Sequence, residues 1–553
     1  MTRLNWVKSH MLAAAVASVA TLAGPFAFAD DVNQDRLLNA DKEAGNWLHH
    51  HKNYSATRFS SLADINKDNV KNLKVAWTMA LGGVEGGGIW AHGGLEGTPI
   101  VENGFMYVTD GWGSVYKIDA HGGKGVLLWK MDPKTDHDWA GAVACCGVDN
   151  RGVALWNNLV ISHTLDGRLI ATNKETGQVA WQRQVADPDK GEVITGAPLI
   201  VKDMAITGVA GAEYGIRGWI AATDLKSQKE VWRTHTIPGK DEPGHETWKD
   251  DKNAKASGGG STWVTGSYDP ATNTIVWGVG NPGPDWDNEY RPGDNLYTDS
   301  LVSLDLDTGK IACHFQYIAH DVWDLDAVSP PVLVNVADKN GKTIPGVIHA
   351  GKTGHIYVHN RKDCSLIRFS EAMVPQENMW TLPTKEGARM LPGANGGVEW
   401  SPIATDPGQN LAYAINLNQP MHYRVESSPY PNGKLWLGGA FTAIPGEKQS
   451  GNITAVNYDT GKIKWQVKTP EPMIGGILAT AGGLVFAGEG NGKFAAYNSS
   501  SGKELWSFHA GAGVNAPPSS YMVGGKQYIV VGAGGNTQVN FRRGNNIIAF
   551  TLD

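Results

Sequence analysis

Asn173-Lys174-Glu175-Thr176-Gly177, followed four residues later by Trp181, is one copy of a pattern that recurs along the chain. Asn457-Tyr458-Asp459-Thr460-Gly461 leads in the same way to Trp465, and Asn498-Ser499-Ser500-Ser501-Gly502 leads to Trp506. Weaker copies end at Trp129 and Trp232, and Asp305-Leu306-Asp307-Thr308-Gly309 carries Cys313 where the Trp would stand. Gly supplies a tight turn between two strands. Trp offers a large flat face that can dock between neighbouring sheets. A β-rich unit that repeats without a long 3.6-residue period signals a repeat architecture. Radially packed four-stranded blades fit best, so the chain reads as all-β, a β-propeller with tryptophan-docking blade repeats.

Composition agrees: 69 Gly and 21 Trp in 553 residues suit many short strands and turns rather than helices. Residues 1–29 read as a signal peptide, with Arg3 and Lys8 ahead of the apolar run Met11 to Ala23 and the small-x-small site Ala27-Phe28-Ala29. Residues 30–553 then form the propeller domain, long enough for about eight blades of the usual ~40–50 residues. Losing Arg3 and Lys8 takes the formal charge from −7 to −9, which argues against a nucleic-acid partner. No second apolar stretch is long enough for a membrane span, and no Cys follows the cleavage site to carry a lipid. The expected location is the periplasm. There is no Cys-x-x-Cys-His, so no c-type haem is attached to this chain.

Against that frame, His320-Asp321-Val322-Trp323-Asp324-Leu325-Asp326 stands out. In extended chain, residues two apart point to one side, so Asp324 and Asp326 can converge on a metal or a reacting group. Read alone, the stretch is equally a solvated loop with turn-forming Asp. Cys145-Cys146 is the second unusual feature. Adjacent Cα atoms lie about 3.8 Å apart, closer than a disulfide prefers. The pair can close a small strained ring, remain two thiols, or bridge elsewhere.

Several motifs together resemble the pyrroloquinoline quinone (PQQ) alcohol dehydrogenases, the methanol and ethanol dehydrogenase family. They are Ala144-Cys145-Cys146 with Asn150-Arg151-Gly152, Gly211-Ala212-Glu213 with Arg217-Gly218, and Gly280-Asn281-Pro282 with Arg291-Pro292-Gly293-Asp294-Asn295. Trp323-Asp324 and Arg58-Phe59-Ser60-Ser61-Leu62 belong to the same series, which runs in family order over nearly the whole mature chain. The resemblance implies an eight-bladed propeller with PQQ and one metal ion on its axis. It implies that Glu213, Asn281 and Asp324 bind the metal, a set of hard oxygen donors. Asp324 is then also the general base that takes the alcohol proton as hydride passes to the quinone. Trp263 matches the floor under the cofactor, and a bonded Cys145–Cys146 ring its ceiling. Glu96, Arg151, Thr195, Gly211 and Ala212 match further cofactor contacts, and Arg361 matches the Arg beside the quinone oxygens. Asp326 resembles the extra acid of lanthanide-type members, which favours a lanthanide(III) over calcium.

The chain departs from the methanol enzymes at Ala210 and at Ala533, where the family carries Ser and Trp. Ala533 suggests a roomier pocket and an alcohol larger than methanol. The expected activity is oxidation of a primary or secondary alcohol, with electrons leaving to a separate soluble cytochrome c; the family also suggests a homodimer. The competing reading is a non-catalytic propeller scaffold of the cell envelope, which gives no reason to keep Cys145, Cys146, Glu213, Asn281 and Asp324 together.

Overall fold

The repeat makes a hairpin because its first residue holds the turn. In a computed structural model covering residues 31–83, 93–143, 145–250 and 253–553, Asn173 Oδ1 accepts hydrogen bonds from the Glu175 and Thr176 amides, both at 2.9 Å. Gly177 then turns the chain at φ +70°, which a Cβ would strain. Strand Arg168–Asn173 thereby returns antiparallel as Val179–Gln184. Asp305, Asn457 and Asn498 hold their turns through the same side-chain oxygen. The signal peptide expected over residues 1–29 lies outside the described residues.

Among the described residues the strands form seven four-stranded sheets, one of five strands and one of three. Six of the four-stranded sheets run through consecutive stretches of chain, at residues 100–131, 153–184, 199–235, 267–316, 332–369 and 404–469, and the five-stranded sheet is built on 477–509. The last sheet, 519–551, takes its fourth strand from the other end of the chain: Lys74–Ala80 pairs antiparallel with Asn546–Thr551. Phe59–Ser60 lies parallel to Ile477–Thr480 as that sheet's fifth strand. The three-stranded sheet, 388–390 with 421–425 and 439–443, is built from loop insertions.

Each sheet grades from buried to exposed. First strands such as Val153–Trp156 and Leu199–Val201 are buried throughout, whereas fourth strands such as Val179–Gln184 expose alternate residues. Burial on both faces therefore sets the first strands innermost, and the loops at their ends meet there.

The sheets are joined by a recurring contact. The Trp129 indole donates to Lys174 O of the next sheet, Trp232 to Leu306 O, Trp465 to Ser499 O and Trp506 to Leu73 O. A Cβ at Gly177, Gly309 or Gly502 would lie 2.5–2.7 Å from the indole of Trp129, Trp232 or Trp465. Trp77, on the strand that completes the last sheet, sits in the same way against Gly125 of the first. Cys313, in the Trp position, is disulfide-bonded to Cys364 of the following sheet. Cys364 has φ +60° and occupies that sheet's turn where other repeats place Gly. The disulfide thus replaces a Trp–Gly contact with a covalent one.

Several imidazoles are sealed in this structure. Burial holds His49 and His163 down at about 4 and His51 at about 3, with each ring bonded to a backbone carbonyl. Unfolded imidazoles take up protons below pH 6.5, while these do so only below about 4, so the unfolded state binds more protons in between. The stability that these imidazoles contribute is therefore full above pH 6.5, falls as the pH drops toward 4, and levels off below. The margin in thermal midpoint of the wild type over His163→Asn should therefore shrink from pH 7.5 to 4; a margin that stays constant would exclude that contribution.

Candidate functional site

A cavity opens where the loops at one end of the sheets meet. Glu96, Arg151, Thr195, Trp263, Asp324 and Asp326 enter it from segments that precede first strands. Glu213, Asp285, Lys352 and Gln538 enter from connections between second and third strands. Two recurring positions of the repeat thus supply most of the polar wall.

The predicted pair Asp324 and Asp326 does converge, though not through an extended strand. Asp324 has φ +58°, a left-handed conformation. The loop is held from Asp321, whose carboxylate accepts the amides of Trp323 and Leu325, both at 2.8 Å. That turn sends both carboxylates to one ammonium: Lys352 Nζ lies 2.7 Å from Asp324 Oδ1 and 2.9 Å from Asp326 Oδ2, with Glu399 Oε1 at 4.0 Å. Asp326 Oδ1 also accepts the Asn281 amide at 2.9 Å. Asn281 is buried and its side-chain Oδ1 has no protein partner. Glu213 sits in the short turn Ala212–Tyr214. Gly211 before it, at φ +118°, passes so close to the Gly191 carbonyl that a Cβ would collide with it. Ala212 is buried and is not on the cavity wall. Among the described residues no three His, Cys, Asp or Glu side chains are gathered tightly enough to hold a metal ion by themselves.

The other end of the cavity is built to take an anion. The Arg151 guanidinium lies between two indoles, 4.8 Å from Trp263 and 4.5 Å from Trp400, and pairs with Glu96 Oε2 at 2.8 Å. Its Nε and Nη1 are buried without partners, as is Thr195 Oγ1. Glu96 is steadied by Asn515 and Asn536.

Three expectations need correction. Cys145 and Cys146 line the cavity, but their sulfurs are 2.7 Å apart as free thiols, so the expected ring is not closed. The short Cα separation across one peptide explains why closure costs strain; Cys146 already stands at φ +68°. Arg361 is not on the cavity wall. It lies in the turn after Ile356–Asn360, between third and fourth strands, pairing with Asp269 at 3.4 Å and donating to Gly346 O. Lys352 is the cation that the site holds instead. Ala533, finally, is buried in strand Lys526–Ala533 and does not line the cavity, so it enlarges nothing.

Sequence reading passed over Lys352, Glu399, Asp149, Asp285 and Trp400, all on the wall. A signal for Lys352 was present: Gly351-Lys352-Thr353-Gly354 connects second and third strands, the position that carries Glu213 in an earlier repeat. Arg361 stands at the repeat's turn, which faces away.

Seven carboxyl groups and two cations line the cavity. Burial pushes Glu96 up to about 8, Asp149 to about 6 and Glu399 to about 7, and lifts Asp285 and Asp324 well above the usual carboxylate range. Burial disfavours the Lys352 charge too, but Asp324, Asp326 and Glu399 outweigh it and hold the ammonium well above its ordinary value. Removing one member of such a group leaves buried charge uncompensated. Lys352→Met should therefore destabilise the protein by about 3–5 kcal/mol in urea denaturation; unchanged stability would contradict the ion-pair assignment.

The family model described as "PQQ: Glucose/ethanol/alcohol dehydrogenase, beta-propeller domain" matches residues 47–381 and 441–529. The chain is 35% identical to quinohemoprotein alcohol dehydrogenase ADH IIB of Pseudomonas putida, over 93% of this chain and 77% of that one. It is 34% identical to quinoprotein alcohol dehydrogenase PedH of Pseudomonas putida, over 91% and 88% respectively. Among solved structures it is similar to a europium-containing methanol dehydrogenase, with a TM-score of 0.85 and 30% identity over 94% of this chain and 100% of that one.

Proposed function

Since the chain belongs to the PQQ-dependent alcohol dehydrogenase family of enzymes, we propose that it oxidises a primary or secondary alcohol larger than methanol to the aldehyde or ketone. The observation that carries this reading is the Asp324–Lys352 pair on the wall of a cavity that also holds a half-satisfied Arg151. Leu435, Leu437 and Phe441 add an apolar stretch of wall suited to a carbon chain. A non-catalytic scaffold has no use for buried, unpaired donors and acids that face a common space.

The residues fit both groups that the family implies. Arg151 Nε and Nη1 and Thr195 Oγ1 are open donors for the carboxylates of PQQ. Trp263 offers a flat face beside them, with Gly211 keeping the backbone close. PQQ, when bound, accepts the hydride and so the two electrons of the alcohol. Asp324 is the base: its carboxylate takes the hydroxyl proton, and burial has already raised its affinity for one. Lys352 at 2.7 Å orients that carboxylate and takes over the position expected of Arg361.

Glu213, Asn281 Oδ1, Asp324 and Asp326 are the donors for a metal ion, which when bound acts as a Lewis acid. The orphaned amide oxygen of Asn281 favours that assignment. A lanthanide(III) fits better than Ca2+ by charge: Glu399 offsets Lys352, which leaves the three carboxylates Glu213, Asp324 and Asp326 for three positive charges. Asp326 already accepts from Asn281 and Lys352, but a carboxylate has room for about four partners.

The sheets on residues 100–551 are read as eight blades locked by Trp docking; the chain of contacts that returns from Trp77 to Gly125 supports this. In this reading the location is the periplasm, which the leader-like residues 1–29 support, and the acceptor is a soluble cytochrome c, which the name of methanol dehydrogenase [cytochrome c] subunit 1 of Methylorubrum extorquens, 33% identical, supports. No helix among the described residues is long and apolar enough to cross a membrane.

Asp324→Asn should lower dye-linked kcat at least ~10³-fold, because it removes the base and a charged metal ligand together; near-normal turnover would refute the mechanism. Metal-free protein titrated calorimetrically in the presence of PQQ should bind lanthanum more tightly than calcium. Asp326→Ala should weaken lanthanum at least tenfold and calcium less. Equal losses for the two ions would remove the role given to Asp326.

A further inference from the structure

Asp149 and Asp285 are the wall carboxylates to which the proposed reaction gives nothing to do, and Asp149 has the charges of Arg151 and Arg543 beside it. Asp285 is 2% exposed, lines the cavity, and its Oδ1 has no protein partner. The charge of Arg291 bears on Asp285, but its N–H groups are spent elsewhere. Arg291, fully buried, donates to the carbonyls of Pro284, Asp285 and Asp321 and to Asn295 Oδ1, and not to the Asp285 carboxylate. Those bonds fix the loop and hence the direction of Asp285. Glu96 has Arg151; Asp324, Asp326 and Glu399 have Lys352. Beside Asp285 the wall turns aromatic and apolar, with Trp286 and Phe441 at 5.2 Å between ring centroids and Leu437 adjoining. A buried carboxylate with one oxygen left without a partner next to aromatic faces is the combination that recognises an organic cation.

We propose that Asp285 is the counter-charge for an ammonium group on the substrate, and that the enzyme prefers alcohols carrying such a group a few carbons from the hydroxyl. The inference rests on reading the cavity as an alcohol-oxidising site. An ammonium arriving beside Asp285 favours its ionised form and pairs with it. A neutral alcohol of the same shape leaves Asp285 without a partner, and an unmet buried polar group is what gives a site strong discrimination. The aliphatic part of the substrate lies along Leu437 and Phe441, with the hydroxyl left for Asp324.

The test compares 4-amino-1-butanol with 1-pentanol, in which a methyl replaces the ammonium, using wild-type holoenzyme with an artificial dye at pH 7. A hydrogen bond to a charged group predicts a kcat/KM ratio of about 10 to 100 in favour of the amino alcohol. Asp285→Asn should collapse that ratio toward one, and Asp285→Glu should keep part of it. Butylammonium should compete with 1-pentanol in the wild type, a readout that needs no variant. A wild-type ratio of one or below, with 1-pentanol turned over, overturns the role of Asp285 and leaves the oxidation standing. No turnover of either alcohol, or of others supplied with PQQ and metal, overturns the functional reading and this inference with it.

Discussion

An indole lying on a glycine of the neighbouring sheet is the contact on which the structure depends. Trp129 on Gly177, Trp232 on Gly309 and Trp465 on Gly502 leave no space for a Cβ. The indole N–H of each also finds a carbonyl on the far side of the joint. The contact combines a large buried area with a directional bond, so it sets spacing as well as adhesion. Cys313–Cys364 holds the same place in the series by covalent means. With the outer edges held in this way, the first strands are brought together at the centre, and the loops before them deliver Glu96, Arg151, Thr195, Trp263 and Asp324 to one cavity.

What those loops deliver is an excess of acid. Two cations face seven carboxyl groups, and burial resists ionisation of nearly all of them. A site in this condition gains most from binding positive charge, whether a metal ion or a charged substrate, since each one relieves desolvated carboxylates. Arg151 gives the opposite end the opposite preference, with two N–H groups open to an anion. The polarity of the cavity therefore orients a ligand before any contact specific to its shape.

The fold was legible in the sequence because its rule is local. Asn173, Asp305, Asn457 and Asn498 announce the turns by a side-chain bond two or three residues long, and Gly177 marks the sharp reversal. Most of the cavity residues were legible through motif order: Glu96, Arg151, Thr195, Glu213, Trp263, Asp324 and Asp326 all reach the wall. The misplaced residues share a cause. Arg361 and Ala533 were read by type and neighbours, not by their position within the repeat, and it is that position which decides at which end of a sheet a residue emerges. Lys352, in the five-residue connection 351–355, carries no distinctive neighbour and becomes visible only when the repeats are laid over one another. The left-handed turn at Asp324 was hidden for a different reason: it depends on Asp321 accepting two amides, a bond that no alternation rule anticipates.

The pairing of Lys74–Ala80 with Asn546–Thr551 joins segments more than 460 residues apart. Apart from Phe59–Ser60, which adds a short fifth strand to the sheet on 477–509, every other sheet can form from a continuous stretch as the chain is made, but this one must wait for its final strand. Closing so long a loop costs entropy that only the finished interfaces return. Until then the sheet at 519–551 and the first sheet each show an unmatched flank, at Gly125 and along the strand edge. Assembly of the ring is accordingly a late, all-or-none event, and the period before it is when this protein is most exposed to self-association and to proteases.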